Sequence, residues 1–192
     1  IKPIFESYCN RKVEEVKYEN SCIQIRSSSK YVADFFFKLG MKSIEKEVPS
    51  SMFTATEEAV TGFLQGLFSS DGTIGMGTES RNYIRLNSSS LKLLKQVQIL
   101  LLNLGIRSNI YDRATKPKKF NYVNKEGKDV EYNTSGINYE LNISKDNVQR
   151  FVSKIGVIQN RHNKRIAELE KFEFYKEYFT DKVKSIENAG KK

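Results

Sequence analysis

Thr61-Gly62-Phe63-Leu64-Gln65-Gly66-Leu67-Phe68-Ser69-Ser70-Asp71-Gly72-Thr73-Ile74 is the stretch on which the reading of this chain turns. It predicts an apolar helix that ends at a lone carboxylate and a glycine and hands over to a strand. A glycine inside a helix costs about 1 kcal/mol relative to alanine. Gly66, set among Phe63, Leu64, Leu67 and Phe68, therefore implies a face that another backbone approaches too closely for a side chain. Asp71 falls at the C-terminal end of this helix, where the dipole prefers a cation, so solvent or a bound cation must offset it. From local chemistry alone, the same residues also read as an Asp-Gly turn closing a core helix.

Working outward, 192 residues with 39% hydrophobic content suit one domain or two small ones with a real core. Cys9 and Cys22 lack Cys-x-x-Cys spacing, and only one His is present, which argues against a disulfide scaffold or a zinc site. A reducing, intracellular setting is expected. The longest apolar runs, near Phe35 to Phe37 and Ile99 to Leu102, are far too short to span a bilayer, so no membrane partner is expected. The 32 basic against 23 acidic residues give a net charge of +9, which favours polyanions. That charge also suits ribosomal proteins, membrane-surface proteins and merely solvated surfaces.

The chain opens on Ile1-Lys2-Pro3-Ile4 without Met and reads as the interior of a longer protein; residues 1 to 20 show no strong periodicity. Cys22, Ile23 and Ile25 alternate with polar residues as a short strand. Ser27 to Ser29 then cap a helix from Lys30 to Leu39, closed by Gly40, with Val32, Phe35, Phe36 and Leu39 inward. Thr54 or Thr56 caps the opening stretch. Beyond Asp71, Thr73 to Thr78 and Tyr83 to Asn87 form a hairpin, in which Gly75 and Gly77 imply a bulge or a close approach. Ser88 to Ser90 cap a helix from Leu91 to Leu104, with Leu94, Val97, Leu101 and Leu104 spaced for burial and Gly105 as its stop. Ile106 to Tyr111 and the basic segment through Arg113, Lys116, Lys118 and Lys119 read as one strand and the start of a long hairpin, with a turn at Glu126-Gly127-Lys128 before Val130 to Tyr132, and a further strand runs from Ile137 to Ile143. A helix from Asp146 to Ile155, ended by Gly156, and terminal helices over Asn163 to Leu169 and Phe172 to Ile186 complete the reading.

An echo runs through this order. Ile23, Ile25, Val32, Phe35, Phe36, Leu39 and Gly40 fall on Tyr139, Leu141, Val148, Phe151, Val152, Ile155 and Gly156 at a constant offset of 116 residues. Each set is a strand, a polar cap, a helix and a closing glycine. The second copy is complete and the first truncated, which divides the chain at residues 1–55 and 56–192.

Leu64-Gln65-Gly66-Leu67-Phe68-Ser69-Ser70-Asp71-Gly72 resembles the signature of the LAGLIDADG homing endonucleases, particularly their intein-encoded branch, with Ser69 in place of the first, non-ligand acid. The serine-capped helix, the Leu-Leu-x-x-Leu-Gly-Ile phrase at Leu101 to Ile106, the late strand and helix, and the echo extend the resemblance over most of the chain. It implies a mixed α/β fold built from an αββαββα unit, a curved antiparallel DNA-binding sheet and a pseudo-twofold repeat whose motif helices pack side by side. It also implies a Mg2+ (or Mn2+) dependent double-strand cut at a long asymmetric DNA site. Asp71 would bind the metal, Ser70 would lend it a backbone oxygen, and Lys164 and Lys46 would act near the scissile phosphates. Either lysine also reads as solvated surface, and His162 as a surface residue.

DNA would be read by Arg81 and Arg85 on the first hairpin, Arg113, Lys116, Lys118 and Lys119 on the second, and Arg26 in the truncated copy, with Asn87 and Tyr122 as weaker candidates. One Asp is half a site, so a second acid is expected from a preceding segment, a separate polypeptide or a second copy. The alternative is a cleavage-inactive DNA-binding module or an RNA-splicing helper of the same fold.

Overall fold

The computed structural model describes residues 2–17, 23–38, 46–75, 82–124, 127–158, 163–176 and 185. The N-terminal part contains α1 (Lys2–Cys9), β1 (Glu14–Lys17), β2 (Ile23–Arg26) and α2 (Lys30–Lys38). Helix α1 and strand β1 are additions to the sequence reading. Eight and four residues carry too few periods to stand out, and β1 is fixed by antiparallel pairing with β2, from Glu14 opposite Arg26 to Lys17 opposite Ile23. The Val13 N–H donates to Glu6 Oε1 at 3.0 Å, tying the helix to the hairpin. The expected closing residues Leu39 and Gly40, and the side chains of Phe35 and Phe36, lie outside the described residues.

After a 3-10 turn at Ser50–Phe53, the chain runs α3 (Glu57–Asp71), β3 (Gly72–Gly75), β4 (Tyr83–Ser88), α4 (Leu91–Asn103), β5 (Asn109–Asp112), β6 (Lys119–Val123), β7 (Asp129–Asn133), β8 (Tyr139–Ser144), α5 (Asp146–Lys154) and α6 (Asn163–Glu170). With the β6–β7 ribbon taken as an extension of one hairpin, α3 to α5 has the expected αββαββα order. Thr56 is the N-cap of α3, accepting from the Ala59 N–H at 3.4 Å. Ser90 caps α4 by accepting from the Leu93 N–H at 3.2 Å. Gly105 (φ +74°) and Gly156 (φ +63°) take the left-handed conformation just past α4 and α5, as their positions in the sequence predict. Phe172 to Lys176 has no regular secondary structure, so the expected second terminal helix does not begin there; its remainder falls almost wholly outside the described residues.

One antiparallel sheet of order β3-β4-β8-β5 carries the unit. Gly72 pairs with Leu86, Leu86 with Leu141, and Leu141 with Ile110, a row that crosses all four strands. Ile74, Ile84, Leu86, Leu141 and Ile143 are buried against the helices. There they join Leu64 and Phe68 of α3, Leu94, Val97, Leu100 and Leu101 of α4, and Val148 and Phe151 of α5 in a single core. The Phe68 and Phe151 rings meet edge-on with centroids 4.8 Å apart. Beyond β5 and β8 the hairpin continues: the Arg113 N–H donates to Asn138 O, Thr115 N–H to Gly136 O, and Thr134 N–H to Lys118 O, carrying the pairing outward to β6 and β7.

Candidate nucleic-acid interface

Strand alternation decides which residues are available to a ligand. Since Ile84 and Leu86, Leu141 and Ile143, and Ile74 point into the core, Tyr83, Arg85 and Asn87, Glu140, Asn142 and Ser144, and Thr73 take the opposite face. Asn109 and Tyr111 join them from β5, where Ile110 is on the core side. One side of the sheet is thus apolar and covered by helices, and the other polar.

On this outer face, Glu140 bridges two arginines. Its Oε2 receives Arg85 Nη1 at 3.1 Å and its Oε1 receives Arg113 Nη2 at 3.2 Å, while the carboxylate side chain is only 7% exposed. Arg85 also donates from Nη2 to Tyr83 Oη at 2.7 Å, and its guanidinium carbon lies 4.3 Å from the Tyr83 ring centre. Arg113 sits 5.1 Å from the Tyr111 ring. Tyr83 in turn lies over Gly75, where any Cβ would run into the tyrosine ring. Gly75 is therefore a close-approach glycine, and its occupant is a side chain of the same hairpin.

Glu140 is a residue of this face that sequence reasoning missed. The signal was available, because Glu140, Asn142 and Ser144 alternate with Leu141 and Ile143, and Glu140 brings an acid to a face supplied with arginines.

Asp71 is the last residue of α3 and is exposed. Gly72 follows in an extended conformation (φ −77°, ψ 155°), so its requirement is space: a Cβ there would strike the carbonyl oxygen of Phe68. Exposed Ser70 donates its hydroxyl to Leu67 O at 3.0 Å. The backbone expected against Gly66 is not found among the described residues. Among the described residues, nothing lies within 4 Å of a Cβ built at Gly62 or at Gly66, and both positions are exposed. The buried face of α3 belongs to Val60, Leu64 and Phe68, leaving the two glycines on the side away from the core.

The two lysines occupy different surroundings. The Lys46 carbonyl accepts from Ser90 Oγ at 2.6 Å, which holds it to the start of α4. Gly72 pairs with Leu86, so the end of β4 that leads to Ser90 lies at the Asp71 end of the sheet. Lys164 is exposed on α6, and its neighbour Arg165 donates from Nη1 to Ile74 O at 2.8 Å, fastening that helix to β3. Arg165 is a cation that sequence reasoning missed.

Lys116 and Lys118 are exposed on the segment between β5 and β6, whereas Lys119 pairs with Glu131 at 3.1 Å. Arg26 is exposed on β2 and donates from Nε to Gln24 Oε1 at 2.9 Å. Asn87 is exposed near the Asp71 end, and Tyr122 shares an exposed aromatic ribbon face with Phe120 and Tyr132. Arg81 and His162 lie outside the described residues.

Among the described residues, no three His, Cys, Asp or Glu side chains come together to hold a metal ion. Asp71 suits a hard cation as one carboxylate donor, with further oxygens required from elsewhere. Among the same residues, no helix is long and apolar enough to cross a membrane.

Residues 58–156, more than half of the chain, match the family model of the LAGLIDADG-like domain. The chain belongs to this family. A replicative DNA helicase DnaB of Rhodothermus marinus is 31% identical to this LAGLIDADG-like chain over 131 residues, covering 67% of the chain and 12% of the helicase. A DNA polymerase of Thermococcus sp. (strain GE8) is 29% identical over 141 residues, covering 73% of the chain and 8% of the polymerase. The chain thus spans only a small part of these curated relatives. Among solved structures, mesophilic variants of the homing endonuclease I-DmoI superpose with a TM-score of 0.51 at 21% identity, covering 80% of this chain and 64% of theirs. I-DmoI in complex with DNA and Ca gives 0.52 at 20% identity, covering 88% and 72%. These likenesses establish a shared fold for the LAGLIDADG-like unit.

Proposed function

We propose that this chain forms one half of a site-specific endonuclease that makes Mg2+-dependent (or Mn2+-dependent) double-strand breaks at a long asymmetric DNA site. The observation that carries the reading is the setting of Asp71: an exposed carboxylate ending α3, whose Gly62 and Gly66 face meets nothing among the described residues, on the unit whose sheet presents a polar outer face. A second motif helix, from a preceding segment, a separate polypeptide or a second copy, would pack on those glycines and bring a second acid beside Asp71. A divalent cation there would activate water and offset charge on the attacked phosphate. Asp71 would be one of its donors, with Ser70 lending its backbone carbonyl. Lys46 and Lys164 would balance charge, while Arg26, Arg81, Arg85, Arg113, Lys116, Lys118 and Lys119 would contact DNA across a saddle formed by the sheet.

The pattern of relatives supports an intein-encoded origin. The shared stretch is a minor part of proteins named for quite different activities, a helicase, a DNA polymerase and a ribonucleoside-diphosphate reductase subunit among them. A segment common to such proteins is better explained as an insert than as the carrier of any of those activities. Residues 1–55 fit as a remnant of a first repeat, and 56–192 as the second. A second reading, a DNA-binding module or RNA-splicing helper that does not cut, is favoured by the lone carboxylate at the end of α3.

The test is selection of bound duplexes from a random pool, followed by incubation of the selected DNA with Mg2+. Cleavage by the native protein, with Asp71→Asn retaining binding and losing at least one cut strand, supports the endonuclease. Binding without cleavage selects the second reading, and undiminished cleavage by Asp71→Asn removes this acid from the mechanism.

A further inference from the structure

We infer that Glu140 is a positioning residue that holds Arg85 and Arg113 as a fixed pair, directing them to base edges rather than to the phosphate backbone. The inference rests on the DNA-binding reading above and concerns how that face discriminates between sequences.

The arrangement draws on three adjacent strands. Glu140 lies on β8, opposite Asn87 of β4 and Tyr111 of β5, and so stands between the strand that carries Arg85 and the strand that leads to Arg113. Each carboxylate oxygen takes a different guanidinium, at 3.1 and 3.2 Å. Each guanidinium is also near a tyrosine ring, Tyr83 for Arg85 and Tyr111 for Arg113. The absence of a side chain at Gly75 makes room for the Tyr83 ring. Arg85 Nε is buried without a partner among the described residues, which confines further donation by this side chain to its Nη groups. Arginine has five N–H donors. With one Nη1 hydrogen committed to Glu140 and one Nη2 hydrogen to Tyr83, one remains on each Nη nitrogen, the number that a bidentate contact to guanine uses.

Charge points the same way. A phosphate contact carries no sequence information, and its strength comes largely from counterion release, which grows with the positive charge that the protein brings. Two arginines and the buried carboxylate they share carry a net charge of one rather than two, and the arginines have given up much of their side-chain freedom. This weakens them as general phosphate ligands. It improves them for a contact in which the planar fork must meet two acceptors together. The nearby ribbon lysines Lys116 and Lys118, exposed and outside any ion pair among the described residues, have the opposite character.

The experiment is selection from a random-sequence duplex pool with the full chain and its Glu140→Gln variant, followed by titration of selected and scrambled duplexes at several salt concentrations. Glu140→Gln is expected to bind scrambled duplex at least as tightly as the native chain, with a salt slope steeper by about 1. Its preference for the selected duplex should fall about tenfold or more at the affected base pairs. If Glu140→Gln fails to fold, as judged by its urea transition, Tyr83→Phe serves instead. That change keeps the ring and removes the acceptor for Arg85 Nη2, and the same loss of preference is expected. Retention of the native preference and salt slope by folded Glu140→Gln, or of the native preference by Tyr83→Phe where that variant is used, would overturn the inference. Failure of the native chain to bind any duplex would instead overturn the DNA-binding reading and the inference with it.

Discussion

The side-chain amide of Gln65 donates to the backbone carbonyl of Ile155 at 2.7 Å, joining the middle of α3 to the end of α5 across 90 residues of sequence. One helical turn later, Ser69 Oγ accepts from the Ile158 N–H at 2.9 Å and donates to Gln65 O at 2.6 Å. The helix that ends in Asp71 is therefore anchored by two polar contacts as well as by the packing of Phe68 on Phe151. Ser69, where the motif departs from its usual acid, is a buried structural residue.

Removing either anchor should destabilise the unit. Gln65→Ala leaves the Ile155 carbonyl without this donor, and Ser69→Ala leaves the Ile158 N–H without its acceptor. Each should cost about 1–3 kcal/mol, read as a lower urea midpoint with an unchanged slope. Because the two anchors hold one short segment, their effects should not add in the double variant.

Two glycines of the motif should respond in opposite ways. Gly72→Ala pushes a methyl group into the Phe68 carbonyl and should lower the thermal midpoint clearly, since the obstacle is backbone. Gly66→Ala meets no described residue and should stabilise the isolated chain by up to about 1 kcal/mol through helix propensity. If α3 pairs with a second motif helix through this face, Gly66→Ala should also weaken that association, measured by sedimentation of the chain with the partner or copy that supplies the helix. Unimpaired association would place the contact elsewhere.

The ribbon lysines should differ in their salt dependence. Lys116→Ala or Lys118→Ala should weaken duplex binding regardless of sequence and make the plot of log affinity against log salt shallower by about 1 for each phosphate ligand removed. Lys119→Ala should change the slope less, because Lys119 already pairs with Glu131 at 3.1 Å. Equal slopes for all three variants and the native chain would exclude these lysines as phosphate ligands.

The elements of the second unit were legible in the sequence because each carries a local mark. Ser90 announces α4, Gly105 and Gly156 announce two helix ends, and the three-four spacing of Leu94, Val97, Leu101 and Leu104 matches the burial found. The short α1 and β1 carried no such mark. The sequence by itself determined the motif, its terminal carboxylate and the family, since these depend on residue type and spacing along a single segment. Only the tertiary structure decided what surrounds them. No described part of this chain reaches Gly66; Ser69 is buried because the end of α5 folds back onto α3; and Arg85 and Arg113 share Glu140 because β8 lies between β4 and the strand that leads to Arg113. Such relations join residues tens of positions apart, and strand register and helix docking set them, where local periodicity carries no information.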